Sequence, residues 1–180
     1  MKDEEIFRQV IEGDQKAFEI LVNKYSTRLL YFTKTYNLDD DEAKDVIQES
    51  FFKAWKYRDK FNSKNKFSTW IYTITKNNII DIKRKKHSQT FSQIDGDDFD
   101  IMDQEMDTLD SIAKEHDMQT IQNEIEKLSS NFKQVLLLHY DEELTFDEIS
   151  KLLNISINTV KSWHYRAIQT IRANCTKINI

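Results

Sequence analysis

The chain contains no proline and only two glycines, Gly13 and Gly96, among its 180 residues. Hairpins and sandwich turns rely on these residue types for tight reversals, so a fold made of many strands is not expected. Helix-forming Lys, Glu and Leu are plentiful, and a hydrophobic content of 39% is sufficient for packed cores. The sequence therefore predicts an all-α protein.

Charge is distributed unevenly along the chain. Residues 1–86 carry 18 Lys and Arg against 14 Asp and Glu, residues 87–118 carry 1 against 10, and residues 119–180 carry 7 against 7. The net charge of −5 thus comes from the middle segment, and the flanking segments can approach nucleic acid. We expect two small helical domains, 1–86 and 119–180, joined by a flexible acidic linker over 87–118, whose isolated apolar residues bury too little surface to order it.

Several kinds of protein are not expected from this sequence. No stretch approaches the roughly 18 apolar residues of a membrane span, and the single cysteine, Cys175, cannot form an intrachain disulfide. The four histidines are scattered, and there is no glycine-rich phosphate loop and no nucleophile paired with a base. We expect a cytoplasmic, non-enzymatic protein with no catalytic residues, no metal and no cofactor.

Three amphipathic helices are predicted in the first domain. Apolar residues recur at spacings of three and four over 17–30, which indicates one helical face. A second helix begins at the acidic run 39–42, suited to the positive end of a helix dipole, and continues to residue 55. The third spans about 68–86.

The second domain contains a pattern typical of a helix-turn-helix. Thr145 and Glu148 form a capping box, and Asn154 can adopt the left-handed conformation of a tight turn before Ser156 caps the next helix. No acidic residue occurs between Ser156 and Arg172. A recognition helix for the DNA major groove is therefore predicted, with an ordinary helical hairpin as the alternative. Residues predicted to contact DNA are Ser156, Asn158, Thr159, Lys161, Ser162, Tyr165, Arg166 and Arg172.

Four segments, taken in order, resemble the extracytoplasmic-function group of the sigma-70 family. They are GDQKAFEILVNKY (13–25), DVIQESFFKAW (45–55), FSTWIYTITKNNIID (67–81) and LTFDEISKLLNISINTVKSWHYRAIQTIR (144–172). The resemblance implies an alternative sigma factor whose partners are core RNA polymerase, double-stranded promoter DNA and its melted non-template strand. Ser129, Asn154 and Trp163 depart from the residues usual in the group.

The resemblance also implies roles for individual residues. Asp45, Gln48 and Glu49 match positions that contact the clamp helices of the largest polymerase subunit; a merely solvated acidic face is the alternative. Phe67, Trp70 and Tyr72 beside basic residues have the chemistry of single-strand capture, although an aromatic such as Trp70 can equally belong to the core. Residues implied in minus-ten recognition are Asn62, Ser63, Lys64, Asn65, Phe67, Trp70, Lys76, Asn77, Lys83 and Arg84.

Two features stay open at this point. The acidic linker resembles a connector that threads the RNA exit path of the polymerase, or it is a plain spacer. The sequence does not decide whether an anti-sigma factor binds the chain. The competing functions are a helix-turn-helix regulator that binds DNA without polymerase, which leaves the aromatic and basic stretch 67–86 unexplained, and a nucleic-acid enzyme, which lacks a catalytic motif.

Overall fold

The structure is a computed structural model that describes residues 2–86, 108–114 and 116–178. The chain divides into two compact units, Met1–Gln93 and Ile94–Ile180. Within the described ranges every regular element is a helix, which confirms the predicted all-α class.

The first unit contains four described α-helices. They are α1 (Asp3–Ile11), α2 (Gln15–Lys34), α3 (Asp40–Lys56) and α4 (Phe67–Lys86), with a 3-10 turn at Arg58–Lys60. Gly13, at φ 98°, allows the chain to reverse between α1 and α2. Asp14 caps α2 by accepting from the backbone N–H groups of Lys16 and Ala17. Asp39 and Glu42 form the capping box that starts α3, as the acidic run predicts.

Helix α1 was not among the predicted elements. Its buried residues are Ile6, Phe7 and Val10, and it packs against both α2 and α4. The signal was present as a short apolar pattern after three acidic residues, but nine residues are too few for periodicity alone to decide. The fully buried residues of this unit also include Leu21, Tyr25, Leu29, Phe32, Phe67, Ile71, Tyr72 and Ile79.

The second unit contains five described α-helices and one π-helical turn. They are α5 (Leu109–Ala113), α6 (Met118–Lys127), α7 (Ser130–Leu136), α8 (Phe146–Leu153) and α9 (Ile157–Ile178), with the π turn at Leu137–Asp141. Helix α9 packs against α6, α7 and α8. One core cluster of this unit consists of Ile112, Ile121, Leu128, Leu136, Ala167, Ile168, Ile171 and the free cysteine Cys175.

Helix α5 lies inside the segment expected to be linker. Ile112 is fully buried in the core cluster of the second unit, and Leu109 packs against the same cluster. The predicted domain boundary at residue 119 therefore excludes a turn of helix that packs into the second core. The apolar residues of the linker segment are too few to order it by themselves. Leu109 and Ile112 are ordered because they pack against the core of the second unit, which the local sequence does not reveal. Residues 87–107 and residue 115 of the predicted linker lie outside the described residues.

The predicted helix-turn-helix is present. Thr145 and Glu148 cap α8 reciprocally, with Thr145 Oγ1 3.2 Å from the Glu148 amide nitrogen. Asn154 is left-handed at φ 59° and ψ 49° and ends α8, as its residue type allows. Ser156 Oγ accepts from the Thr159 N–H at 3.0 Å and caps α9. Each local prediction for this turn is confirmed.

Two further expectations concern membranes and metals. Over 2–86, 108–114 and 116–178, no helix is both long enough and apolar enough to cross a membrane. In those same stretches no three His, Cys, Asp or Glu side chains gather in a way that could hold a metal ion.

Candidate polymerase and nucleic-acid interfaces

The acidic face of α3 lies at the surface of the first unit. Asp45, Gln48 and Glu49 are all exposed. Glu49 lies 3.6 Å from the ammonium of Lys53 one turn later, whereas Asp45 and Glu49 form a like-charge pair four residues apart. The face predicted to meet a polymerase is therefore accessible, and its charge suits a positive partner.

A groove of about 650 Å³ adjoins this acidic face between α3 and α4. Asp45, Gln48 and Glu49 line it together with Phe52, whose side chain is 57% exposed. Sequence reasoning missed Phe52. Adjacent helical residues point about 100° apart, so Phe51 and Phe52 cannot both face one core, and Phe51 is the buried member.

A buried polar network lies behind the groove and connects α3 to α4. Asn78, only 3% exposed, donates from Nδ2 to Ser50 Oγ at 3.0 Å and accepts from Lys53 Nζ at 2.5 Å. Ser50 Oγ in turn donates to the Val46 carbonyl at 2.6 Å. Because a buried amide without partners is costly, this network fixes the register of the two helices that form the groove.

The loop between the 3-10 turn and α4 presents polar side chains to solvent. Asn62, Ser63, Lys64 and Asn65 are exposed. The Asn65 N–H donates to the Asn62 carbonyl at 2.9 Å, and the Lys64 N–H donates to Asn62 Oδ1 at 3.0 Å. These bonds close a tight turn of the Asx type, so the four side chains predicted to meet the minus-ten strand are held together.

Of the three aromatic residues expected to stack on a base, two are buried in the core and the third is half-buried. Phe67 and Tyr72 are fully buried, with Tyr72 packed 4.9 Å from Phe32. Trp70 is half-buried against Phe7 and Phe61, each 5.2 Å away between ring centroids. Phe67 and Trp70 pack into the core because Phe7 of α1, a helix absent from the predicted elements, lies against both rings, whereas Tyr72 packs against α2. The core alternative for Trp70 is the one the packing favours.

Exposed aromatic surface occurs instead at the end of α3. Tyr57 is 39% exposed and lies between two ammonium groups, Lys56 Nζ at 5.4 Å and Lys60 Nζ at 4.9 Å from its ring centroid. Such cation–π geometry keeps positive charge beside an accessible ring. The sequence carries this combination of aromatic and basic residues as KYRDK at 56–60, outside the segments predicted to bind DNA.

The basic residues predicted on α4 differ in accessibility. Asn77 and Arg84 are exposed, whereas Lys76 and Lys83 are half-buried. Burial lowers the pKa of Lys76, and it lowers the pKa of Lys83 against the opposing charge of Glu42. Lys83 Nζ also lies 5.6 Å from the Tyr36 ring centroid. Asn77 and Arg84 are therefore the better placed of these four side chains for DNA.

The recognition helix α9 presents part of its predicted surface. Ser156 and Asn158 are exposed, and Lys161, Tyr165 and Arg166 are half-exposed. Helix α9 is enclosed by three other helices, so its buried face is wider than the sequence pattern indicated. Two residues predicted to face DNA are consequently buried, Thr159 at 3% and Ser162 at 1% exposure, and the outward placement of Ser162 is wrong.

Arg172 takes part in the packing of its own unit. Its guanidinium donates to Ser111 Oγ in α5 at 3.2 Å, and the side chain is half-buried. Arg172 would have to give up its hydrogen bond to Ser111 to make the predicted contact with a DNA phosphate. Sequence spacing placed Arg172 on the outward side of α9 but could not reveal that α5 covers that side.

The second unit ends in a helix-turn-helix whose second helix carries no acidic residue between Ser156 and Arg172, which is the arrangement of a DNA-binding protein. The family models for Sigma-70 region 2 and Sigma-70 region 4 match residues 21–89 and 118–171. The chain is 32% identical over 173 residues to the ECF RNA polymerase sigma factor SigW of Bacillus subtilis, covering 92% of each chain. It is 27% identical to the RNA polymerase sigma-H factor of Pseudomonas aeruginosa, covering 94% of this chain and 92% of that protein.

Solved structures agree on the fold. CnrH, in complex with the cytosolic domain of CnrY, matches with a TM-score of 0.59 at 20% identity over 95% of both chains. The sigma factor RpoE of Bartonella quintana, in complex with the anti-sigma factor NepR, matches with a TM-score of 0.56 at 20% identity, covering 88% of this chain and 96% of that one.

The chain belongs to the extracytoplasmic-function group of the sigma-70 family. It is an alternative sigma factor that directs promoter recognition with core RNA polymerase, and it is not an enzyme.

Proposed function

We propose that the groove between α3 and α4 is the docking site for core polymerase. Exposed Asp45, Gln48 and Glu49 would meet basic side chains of the partner, and Phe52 would enter an apolar contact beside them. Aromatic side chains, Phe among them, are enriched in protein–protein interfaces relative to the rest of the surface. The Ser50–Asn78–Lys53 network supports this role because it holds both walls of the groove in one register.

The exposed turn at 62–65 is proposed to bind the melted non-template strand of the minus-ten element. Its four polar side chains, together with Asn77 and Arg84, offer hydrogen bonds and positive charge. Since Phe67 and Trp70 are occupied in the core, Tyr57 between its two lysines is the accessible ring for stacking on a base.

The second unit is proposed to read the minus-thirty-five element through α9. Ser156 and the N-terminal turn of α9, at the positive end of the helix dipole, favour a phosphate and would position the helix. Asn158 and Lys161 lie in its first turns, the part of a recognition helix that reaches base edges. Arg166, one turn further on, is placed for either a base or the backbone.

The proposal extends to partners and location. The chain would act in the cytoplasm, where polymerase and promoters are. An anti-sigma factor would regulate the chain, by analogy with RpoE, whose solved structure contains NepR, and with CnrH, whose solved structure contains the cytosolic domain of CnrY. The family models for region 2 and region 4 match separate helical units in chain order. This is the observation on which we base the proposal that the first unit binds polymerase and the minus-ten strand and the second reads the minus-thirty-five element.

Transcription in vitro tests this proposal. The pure chain is added to core RNA polymerase on genomic DNA, and the 5′ ends of the transcripts are mapped. New start sites that share an upstream and a minus-ten element are expected, with core polymerase alone as the control. Specific binding of the chain to DNA without polymerase, and no new start sites with it, would instead favour the helix-turn-helix regulator.

A further inference from the structure

We infer that Glu4 of α1 is a positioning residue for minus-ten strand binding, because it caps α4 and fixes the loop 61–66. The inference rests on the proposed role of that loop. Glu4 Oε1 accepts from the backbone N–H of Phe67 at 2.9 Å. Phe67 is the first residue of α4, so this N–H is one that no bond within the helix can satisfy. A carboxylate there also complements the positive end of the helix dipole.

Both ends of the loop pack against the residue that lies one turn after Glu4. Phe7 is fully buried, and its ring centroid lies 5.0 Å from that of Phe61 and 4.8 Å from that of Phe67. Phe61 precedes the exposed turn and Phe67 follows it. Helix α1 therefore holds the two ends of the loop with one aromatic ring and one carboxylate.

Helix α1 is in turn fixed to the body of the unit beside Glu4. The Asp3 carboxylate accepts from Lys24 Nζ at 2.7 Å and from the Tyr25 hydroxyl at 2.6 Å. Tyr25 is buried, and its ring lies 5.2 Å from that of Phe67. Glu4 therefore lies half-buried on an anchored helix. Its hydrogen bond to the Phe67 N–H holds the start of α4 in place relative to that helix.

Charge makes the inference testable by the sign of an effect. A carboxylate near a DNA-binding loop repels phosphate, so removing it should strengthen DNA binding if Glu4 acts only through its charge. If Glu4 positions the loop, removing it should weaken binding, because the strand must then order a loosened loop. The two roles predict opposite changes for the same substitution.

The experiment compares Glu4→Ala and Glu4→Gln with Glu12→Ala, a matched control at the exposed residue that directly follows α1. The probe is a fork-junction DNA whose single strand carries the minus-ten sequence mapped for this chain, bound by holoenzyme. Loss of a helix cap of ordinary strength should weaken Glu4→Ala binding by roughly fivefold. Glu4→Gln, which keeps an acceptor oxygen, should lose less, and Glu12→Ala should match the wild type.

Amide hydrogen exchange at Phe67 in the free chain provides a readout independent of DNA. Exchange should accelerate in Glu4→Ala but not in Glu12→Ala, while exchange at Ile79 in the same helix stays slow and shows that the unit is folded. Unchanged exchange at Phe67, or fork binding that is equal or tighter in Glu4→Ala, would overturn the positioning role. If Lys64→Ala and Asn65→Ala also leave fork binding unchanged, the proposed role of the loop fails, and the inference fails with it.

Discussion

Acidification should destabilise the second unit through one buried histidine. His164 of α9 is 2% exposed and lies among Tyr140, His139 and Phe146, with Nε2 3.1 Å from the Tyr140 hydroxyl oxygen. Nδ1 is buried and meets no hydrogen-bond partner among the described residues. Burial, and secondarily the charge of His139, lowers the pKa of His164 from 6.5 to about 4. The site therefore holds the neutral ring.

The direction and size of the effect follow from proton linkage. Between pH 6.5 and about 4 the unfolded chain binds a proton at His164 that the folded unit does not, so stability falls as the pH falls through this range. Above pH 6.5 the contribution is complete. Between pH 7.5 and pH 5.0, a pKa difference of this size corresponds to a loss of ~2 kcal/mol in the free energy of unfolding.

Urea denaturation of the full chain at the two pH values measures this loss. The indole resonance of Trp163 reports on the second unit, and that of Trp55 reports on the first. His164→Gln keeps an acceptor for the Tyr140 hydroxyl but cannot titrate, so it should lose ~2 kcal/mol less than the wild type on acidification. His116→Gln is the matched control and should behave like the wild type, because His164 is intact. Equal losses in the wild type and His164→Gln would refute the linkage to His164.

Three further predictions concern the interfaces and the turn. Reversal of Asp45 and Glu49 to Lys should abolish association with core polymerase without changing thermal melting, since both side chains are exposed; retained pull-down would contradict the docking role. Lys161→Ala should cost ~1–3 kcal/mol at the preferred upstream element and much less where its base pair is changed; a uniform loss across a promoter library would indicate a backbone contact. Asn154 has φ 59°, so Asn154→Ala should destabilise the second unit by ~1 kcal/mol and Asn154→Gly should not. Equal denaturation midpoints for the two variants would show that backbone strain at this position is absent.

Local chemistry explains why much of the fold could be predicted. The helix starts at Asp39 and Thr145, the left-handed turn at Asn154 and the cap at Ser156 each depend on residues within four positions of one another. Apolar periodicity likewise identified α2, α3 and α4 because one face of a long helix repeats several times. Short elements such as α1 and α5 repeat too few times to be recognised in this way.

The site could be predicted only in part. Periodicity shows which side of a helix is apolar, but the width of the buried face depends on how many other elements pack there. Helix α1 buries Phe67, and the helices around α9 bury Ser162, so side chains that the sequence offered to DNA belong to the core. The same packing leaves Phe52 and Tyr57 exposed.

The sequence by itself determined the helical class, the helix-turn-helix and the acidic and basic stretches, because each of these features depends on residues close to one another in the chain. Only the tertiary structure decided that Glu4 caps a helix 63 residues away and that Arg172 contacts Ser111 61 residues before it. Contacts at such separations form because burial of the apolar faces packs distant helices together. The local spacing of charged residues does not specify which polar side chains come into contact as a result.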